Sequence, residues 1–238
     1  MPNKQFVFMV LEEHPYGREM LMQLMDAGHF PMAIIEEVSD IAEEEKGKFL
    51  ERIKGHRVAP TFTELLEGHD IPRYRVHHHN KKACRLLIEE LAPDLGVLGG
   101  TRIIRKRILR IPPEGMLNAH PGLLPEVRGS ASPAWSVYHD IPIGATCHFI
   151  DPGIDTGDIV GKREIPIHKG DTYEKLCWLT LVEAGALMTE AVSAWKKDEL
   201  QRTPQGESEL PTFRVPSDEI MDVVLQKLKD HTYKHYVD

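Results

Sequence analysis

The sequence predicts an α/β fold with a doubly wound, mostly parallel sheet. Short apolar runs of strand length alternate with segments of helical spacing along the first 120 residues, which is typical of such a sheet. The first run, QFVFMVL (5–11), shows no polar alternation and is therefore predicted to be buried on both faces. Further strands are predicted at 30–37, 73–76, 95–100 and 115–120.

Helices are predicted between these strands. The first, at 17–29, has four apolar residues at helical spacing and Gly28 as its C-terminal stop. Pro93 ends the last helix before the fourth strand. The other helical segments are a charged and mostly exposed helix at 41–55, a short helix and turn at 61–72, and an amphipathic helix at 80–94.

The pattern changes after residue 120, where two late strands and a long helix are predicted. A helix at 130–140 precedes the strands, which lie at 144–150 and 158–167 and are joined by a Gly/Asp-rich loop. The long helix, at 170–195, begins with a capping box from Asp171 to Glu174. It is apolar nearly all round, so we expect it to be mostly buried.

The C-terminal residues are predicted to form a polar linker at 201–217 and a last helix at 217–230. One side of that helix is apolar, and aromatic residues lie before and after it. These side chains are expected either to form a homodimer interface or to pack back on the main domain, two alternatives that the sequence leaves open. The residues concerned are Ile220, Val223, Val224, Leu228, Phe213, Tyr233 and Tyr236.

Length, composition and charge restrict the class of protein. A chain of 238 residues with 41% hydrophobic residues can form one large α/β domain, or one domain with a small appendage. The net charge of -8 disfavours a nucleic-acid partner. The three cysteines are far apart, which suits reduced thiols. Without a signal peptide or an apolar run of membrane-spanning length, the chain is expected to be cytoplasmic, with no membrane partner.

Two local clusters have a structural and a ligand-binding interpretation. The basic residues of TRIIRKRILR (101–110) fit the solvated face of a short helix, or a local anchor for an anionic ligand. The HHHN segment (77–80) suggests a metal site, but three consecutive histidines cannot all face one ion from a strand. We therefore predict no metal site.

Asn118 and His120 lie at the end of the fifth predicted strand, within NAHPGLLPEVRG (118–129). Positions i and i+2 of a strand point to the same side, so both side chains are expected to face one ligand. Ligands of doubly wound sheets bind beyond the carboxyl ends of the strands, which places this pair at the functional edge.

A second motif, DPGIDTGDIV (151–160), joins the two late strands; by itself it fits a plain Asp- and Gly-rich loop. Together, LNAHPGLLPEVRGSASPAW (117–135) and GATCHFIDPGIDTGDIV (144–160) resemble the folate-dependent formyltransferases. The resemblance covers roughly residues 92–195 and implies a Rossmann-like fold. It implies a catalytic domain at 1–196, with an N-terminal part at about 1–100 and a folate and catalytic part at about 95–196. Residues 197–238 are then a C-terminal extension.

The resemblance implies that Asn118, His120 and Asp155 are the catalytic residues. An amine would attack the formyl carbon of 10-formyltetrahydrofolate, and negative charge would build up on the formyl oxygen. The Asn118 amide and a protonated His120 suit that charge, while Asp155 can orient the imidazole and collect the proton of the amine. The family's folate pocket corresponds to Leu98, Gly99, Gly100, Thr101, Arg102, Ile103, Ile104, Asp151, Gly153 and Ile154.

The acceptor amine follows from comparing branches of that family. The branch that formylates glycinamide ribonucleotide carries a Gly-rich phosphate loop after its first strand, where this chain has the acidic VLEEHPYGREML (10–21). The branch that formylates initiator methionyl-tRNA resembles a longer chain with a further barrel. By elimination, the expected acceptor is a 3-amino or 4-amino dideoxy sugar on a nucleoside diphosphate, a precursor of bacterial surface polysaccharide such as O-antigen.

The sequence leaves other acceptors and other functions open. Another small amine, such as glycinamide ribonucleotide or a natural-product precursor, needs the same three catalytic residues. A hydrolase that delivers the formyl group to water also needs them. A nicotinamide-binding protein would require G-x-G-x-x-G after the first strand, and this sequence has none. The expected partners are therefore small-molecule substrates, with a possible homodimer through the C-terminal region.

Overall fold

A computed structural model describes residues 4–238, which form an α/β fold around one mixed sheet. The strand order is β3-β2-β1-β4-β5-β6-β7; β1 to β5 are parallel to one another, and β6 pairs antiparallel with both β5 and β7. This confirms the predicted mostly parallel sheet. The strands are β1 (Phe6–Leu11), β2 (Ala33–Glu37), β3 (Arg73–Val76), β4 (Leu95–Leu98), β5 (Met116–His120), β6 (Gly144–Phe149) and β7 (Ile159–Glu164).

The helices lie where helical spacing predicted them, with shifted ends. The first begins at Pro15 rather than 17, because the buried His14 caps it and accepts a hydrogen bond from the Tyr16 amide. The helices are α1 (Pro15–Asp26), α2 (Asp40–Arg52), α3 (Phe62–Leu65), α4 (Lys82–Leu91), α5 (Lys106–Leu109), α6 (Ser132–His139), α7 (Tyr173–Lys196) and α8 (Asp218–Lys229).

The sheet is covered on both faces, as the apolar first strand predicted. All six residues of β1 are buried, and the first five alternate between two apolar clusters. Phe6 and Phe8 join the cluster that contains residues of α1 and α7, whereas Val7 and Met9 join the cluster that contains residues of α4. A strand buried on both sides needs apolar residues at every position, which explains the absence of alternation in QFVFMVL.

The long helix α7 is a core helix and corrects two predictions. By length and composition it could cross a membrane, so the prediction that the chain has no apolar run of that length was wrong. In this structure the helix is apolar because it packs in the core, against the sheet, α1 and α6. Its N-cap is Thr172 rather than Asp171, since the Asp171 carboxylate accepts hydrogen bonds from the Lys175 ammonium and the His168 amide instead.

The C-terminal residues pack back on the main domain. Val224 and Leu228 of α8 are buried against the core, but Val223 is 45% exposed. The buried face of the helix is therefore narrower than predicted and does not include Val223. The Tyr233 hydroxyl donates to the Ile141 carbonyl at 2.7 Å, and Phe213 stacks on Trp135 with 4.5 Å between ring centroids. Of the two alternatives for these aromatic residues, burial within the chain is the one observed for Phe213 and Tyr233.

Candidate active site

Asn118 and His120 end strand β5 and face the same cavity, as their i and i+2 positions predicted. The cavity has a volume of about 650 Å³. Strand β5 lies between β4, to which it is parallel, and β6, to which it is antiparallel. The loop after β4 begins at the end of the sheet that carries the pair, whereas β6 ends beside Leu117, at the start of β5. Residues of both following loops nevertheless line the cavity.

Asp155 lies in the loop between β6 and β7, and it reaches the pair on β5. Its Oδ2 atom is 3.5 Å from His120 Nδ1, and it accepts a hydrogen bond from the Gly129 amide at 2.9 Å. Its backbone is in the left-handed region, with φ of 53°. The three predicted catalytic residues are therefore brought together, although His120 and Asp155 are 35 positions apart in the sequence.

The His120 ring is held in one orientation. Its Nε2 atom lies 2.7 Å from the Val127 carbonyl oxygen and 2.9 Å from Ser132 Oγ. A carbonyl oxygen only accepts hydrogen bonds, so Nε2 carries a hydrogen and Nδ1 is the atom that faces Asp155. A proton that arrives at Nδ1 lies between an imidazole and a carboxylate, which is the arrangement of a general acid–base pair.

His148 on β6 is a site residue that the sequence analysis did not identify. It pairs across the strands with Asn118, and its Nε2 atom lies 3.2 Å from Asn118 Nδ2 and 3.7 Å from Asp155 Oδ1. Its Nδ1 atom donates to the Phe149 carbonyl at 2.9 Å, so Nε2 is the unprotonated atom that accepts from the Asn118 amide. Burial lowers the pKa of His148, which keeps the ring neutral.

A sequence signal for His148 existed. In the buried strand β6, Thr146 and His148 are polar residues at i and i+2, and they alternate with the apolar Ala145, Cys147 and Phe149. Polar side chains on one face of a buried strand next to β5 indicate a site on that face.

Most of the predicted folate residues line the same cavity as the catalytic residues. Ile103 is 72% exposed and Ile154 is 47% exposed, so each of the two loops presents an apolar side chain at the rim. Such exposed apolar residues suit a flat, largely apolar ligand. The predicted residues that line the cavity are Leu98, Thr101, Arg102, Ile103, Ile104, Asp151, Gly153 and Ile154.

Gly99 and Gly100 do not line the cavity. A Cβ atom on Gly99 would overlap the Phe8 ring and crowd Gly17, so packing of α1 against β4 requires a glycine here. Gly100 has φ of 84° and lies against His14. Local packing thus accounts for both glycines. The structure shows no position from which either could contact a pterin in the cavity.

Arg102 lines the cavity, but its charge is already compensated. Its Nη2 atom lies 2.7 Å from the carboxylate of Glu37, which is fully buried at the end of β2 and also accepts from the His79 amide. Asn80 fixes the same loop through the Ile103 carbonyl and the Arg105 amide. Arg102, the first basic residue of the segment 101–110, therefore anchors the loop, while Lys106–Leu109 form the predicted short helix.

The three consecutive histidines point to different surroundings. His77 is exposed, His78 is half-buried beside Glu37, and His79 is buried with its Nε2 atom 3.1 Å from the Ile35 carbonyl. Within residues 4–238, no group of three or more His, Cys, Asp or Glu side chains is arranged to hold a metal ion.

Thr212, Phe213 and Arg214 form a further part of the cavity wall, although they belong to the segment predicted as a polar linker. Phe213 pairs with the β5–α6 connection: its amide donates to the Arg128 carbonyl, and its carbonyl accepts from the Ser130 amide. A Cβ atom on Gly129 would overlap the Phe213 carbonyl oxygen, so this docking requires a glycine at 129. The segment is thus part of the site rather than a free linker.

Comparison with known proteins identifies the family. Residues 4–192 match the family described as Formyl transferase. A methionyl-tRNA formyltransferase from Pelobacter propionicus is 29% identical over 211 residues, which cover 87% of this chain but 62% of that protein. The chain therefore spans less than two thirds of the length of this curated relative.

Solved structures agree on the fold. A phosphoribosylglycinamide formyltransferase from Anaplasma phagocytophilum aligns with a TM-score of 0.65 and 18% identity, covering 89% of this chain and 99% of that one. A 4-N formyltransferase from Francisella tularensis aligns with a TM-score of 0.62 and 17% identity, covering 95% and 88%. With a family match over most of its length and the two predicted motifs meeting at one cavity, the chain belongs to the formyl transferase family.

Proposed function

We propose that the protein transfers the formyl group of 10-formyltetrahydrofolate to a primary amine. The observation that carries the proposal is the convergence of Asn118, His120 and Asp155 on one cavity, between two loops with exposed apolar side chains. In this reaction the amine nitrogen bonds to the formyl carbon, and the bond from that carbon to N10 of the folate breaks. The amine loses a proton, and N10 gains one.

Each residue has a role that its contacts allow. One hydrogen of the Asn118 amide is used by His148, and the other is free to bind the formyl oxygen as negative charge develops. The His120–Asp155 pair takes the proton of the attacking amine and returns it to the departing N10. Neutral His148 holds the Asn118 amide in the donating orientation, because its Nε2 atom can accept but not donate.

As the acceptor we propose a 3-amino or 4-amino dideoxy sugar linked to a nucleoside diphosphate. The turn after β1 does not suit a terminal phosphate, because it presents the carboxylates of Glu12 and Glu13 and these already pair with the nearby arginines, Arg75 and Arg73. Anion binding better fits the part of the cavity wall that Arg214 forms. Arg102 is paired with Glu37, whereas the Arg214 guanidinium has no carboxylate partner among residues 4–238. A diphosphate near Arg214 would gain a charge-assisted hydrogen bond.

Methionyl-tRNA is a second candidate acceptor, because a curated relative at 29% identity carries that name. The net charge of -8 favours the small acceptor, since an RNA partner requires a basic surface. Release of the formyl group to water is a third reaction that an assay must distinguish from transfer to an amine, because it would use the same catalytic residues.

The test is a formyl-transfer assay with 10-formyltetrahydrofolate, read by mass spectrometry. The acceptors are dTDP- and UDP-linked 3-amino and 4-amino sugars, glycinamide ribonucleotide, methionyl-tRNA and a no-amine control. A mass gain of one formyl group on an amino sugar supports the proposal. Exclusive reaction with methionyl-tRNA or glycinamide ribonucleotide, or formate release that no amine suppresses, contradicts it.

Arg214→Gln sharpens the assay. Loss of a phosphate contact should raise KM for the nucleotide sugar about tenfold, with KM for the folate unchanged. Arg107→Gln, on the exposed face of α5, is the matched control and should leave both constants unchanged. If KM for the folate rises instead, Arg214 binds the carboxylates of the folate tail.

Two further parts of the proposal come from the sequence. The cytoplasmic location stays a prediction. Homodimer formation also stays a prediction: Phe213 and Tyr233 are buried within the chain, but Val223 and Leu225 of α8 remain 45% and 46% exposed and are available to a second copy.

A further inference from the structure

The C-terminal strap, residues 203–214, is tied at both ends to loops of the active site. At one end Thr203 and Ile159 exchange two backbone hydrogen bonds of 2.8 Å, next to the loop that carries Asp155. At the other end Phe213 pairs with the backbone on either side of Gly129. The strap therefore crosses from the β6–β7 loop to the β5–α6 connection, and it forms no helix or strand of its own.

Gln205 lies between these two attachments, half-buried, and all of its polar atoms are used. Its Nε2 atom donates to the Gly157 carbonyl at 2.6 Å and to the Asp155 carbonyl at 3.0 Å. Its Oε1 atom lies 3.3 Å from Arg128 Nη2. A single side chain thus joins the backbone of the Asp155 loop to the β5–α6 connection.

The Asp155 loop has a conformation that needs such support. A left-handed backbone at an aspartate costs on the order of 1 kcal/mol and persists only where surrounding contacts hold it. A Cβ atom on Gly157 would overlap the Phe149 carbonyl oxygen, so the loop is pressed closely against β6. The Gln205 amide binds the two carbonyl groups on either side of this tight segment.

The same strap also reaches the Asp155 carboxylate through Gly129. The Gly129 amide donates to Asp155 Oδ2, and the Gly129 backbone is fixed by its pairing with Phe213. The strap therefore acts on Asp155 at two points, on its backbone through Gln205 and on its carboxylate through Gly129.

We propose that Gln205 is a positioning residue of the formyl-transfer site, which holds the Asp155 carboxylate next to Nδ1 of His120. The inference rests on the proposed function, and it assigns a role to a segment outside the matched residues 4–192. Gln205 does not line the cavity, so it acts on the reaction through Asp155 and not through contact with a substrate.

The test compares Gln205→Leu with Gln201→Leu. Gln201 is an exposed residue near the start of the strap, and among residues 4–238 its amide donates to the Glu199 carbonyl alone. Gln205→Leu should lower kcat about 10- to 100-fold while KM for both substrates stays within about threefold, because substrate contacts are intact. Gln201→Leu should behave as the wild type. An unchanged kcat in Gln205→Leu, or a loss that appears in KM alone, overturns the proposal.

A double variant separates positioning from general destabilisation. If Gln205 acts through Asp155, adding Gln205→Leu to Asp155→Asn should cause little further loss of kcat, whereas an independent structural effect would multiply the two losses. Asp155→Asn alone is expected to lower kcat about 10²- to 10³-fold. Multiplicative effects would overturn the assignment.

Hydrogen exchange supplies a measurement that does not depend on turnover. Amides of the Asp155 loop should exchange faster in Gln205→Leu than in wild type and in Gln201→Leu, while those of β5 stay protected. This result would stand even if none of the acceptors reacted, so failure of the proposed function remains distinguishable. Equal exchange in all three proteins would show that Gln205 does not hold the loop.

Discussion

The two loops that follow the strands flanking β5 are held by different kinds of interaction. The loop after β4 is anchored by a charged pair, Arg102 with the buried Glu37. The loop after β6 is anchored by neutral hydrogen bonds from Gln205 and Gly129, which meet at Asp155. The charged pair holds the loop after β4, which lines the cavity, in one position. The neutral amides orient the Asp155 carboxylate, and they add no cation that would compete with His120 for it. Changes near β4 should therefore affect folate binding, and changes near Asp155 should affect kcat.

The largest expected effect lies on the catalytic side. His120→Asn should lower kcat at least about 10³-fold, because the proton acceptor and the positive charge next to the developing oxyanion are both lost. Binding of a stable folate analogue, measured by calorimetry, should stay within about threefold, since the wall after β4 is intact. Near-normal turnover in this variant would refute the mechanism. Loss of folate binding would show that the loop after β4 does not determine folate affinity by itself.

A pH effect on stability should come from His14, which lies beneath Gly100 at the base of the loop after β4. Burial, with smaller contributions from the charges of Arg52 and Lys46, lowers the pKa of His14 from 6.5 to about 4. Between these pH values the unfolded chain binds a proton that the folded chain does not bind. The free energy of unfolding should therefore decrease as the pH falls from 6.5 to 4, by about 3 kcal/mol from this group.

Urea denaturation of wild type and His14→Gln at several pH values measures that contribution. The variant should lose less stability over the acid range, with a remainder from the buried His79 and His148, whose pKa values burial also lowers. His77→Gln, which changes an exposed histidine, is the control. Identical pH dependence in wild type and His14→Gln would contradict the prediction.

The smallest of the three effects should appear on the β4 side. Glu37→Gln removes the charge that pairs with Arg102 and weakens the acceptor of the His79 amide, which should lower the free energy of unfolding by about 2 kcal/mol. KM for the folate should rise about tenfold, while kcat changes little.

Glu89→Gln provides the comparison for Glu37→Gln. It breaks an exposed pair with Arg85 on α4, and it should change stability by less than about 0.5 kcal/mol. A larger loss of kcat than of folate affinity in Glu37→Gln would show that the two loops are not functionally distinct.

Much of the fold follows from local sequence patterns. Uninterrupted apolar runs identify β1 and β4, and helical spacing identifies α1, α4 and α7 within a few residues of their ends. The ends of the helices were less predictable, because an N-cap depends on which side chain is free to accept a hydrogen bond from the first turn. Asp171 matched the cap pattern, but tertiary neighbours engage its carboxylate, and Thr172 caps the helix instead.

The sequence by itself determined the sheet, the shared face of Asn118 and His120, and the two motifs that predict the family. These depend on strand periodicity and on short segments whose residues are neighbours in the chain. Only the tertiary structure decided that His148 accepts from Asn118, that Glu37 neutralises Arg102, and that the strap reaches Asp155. Each of these contacts joins residues 30 to 65 positions apart. A local pattern carries no information on which distant segments the folded chain brings within hydrogen-bonding distance.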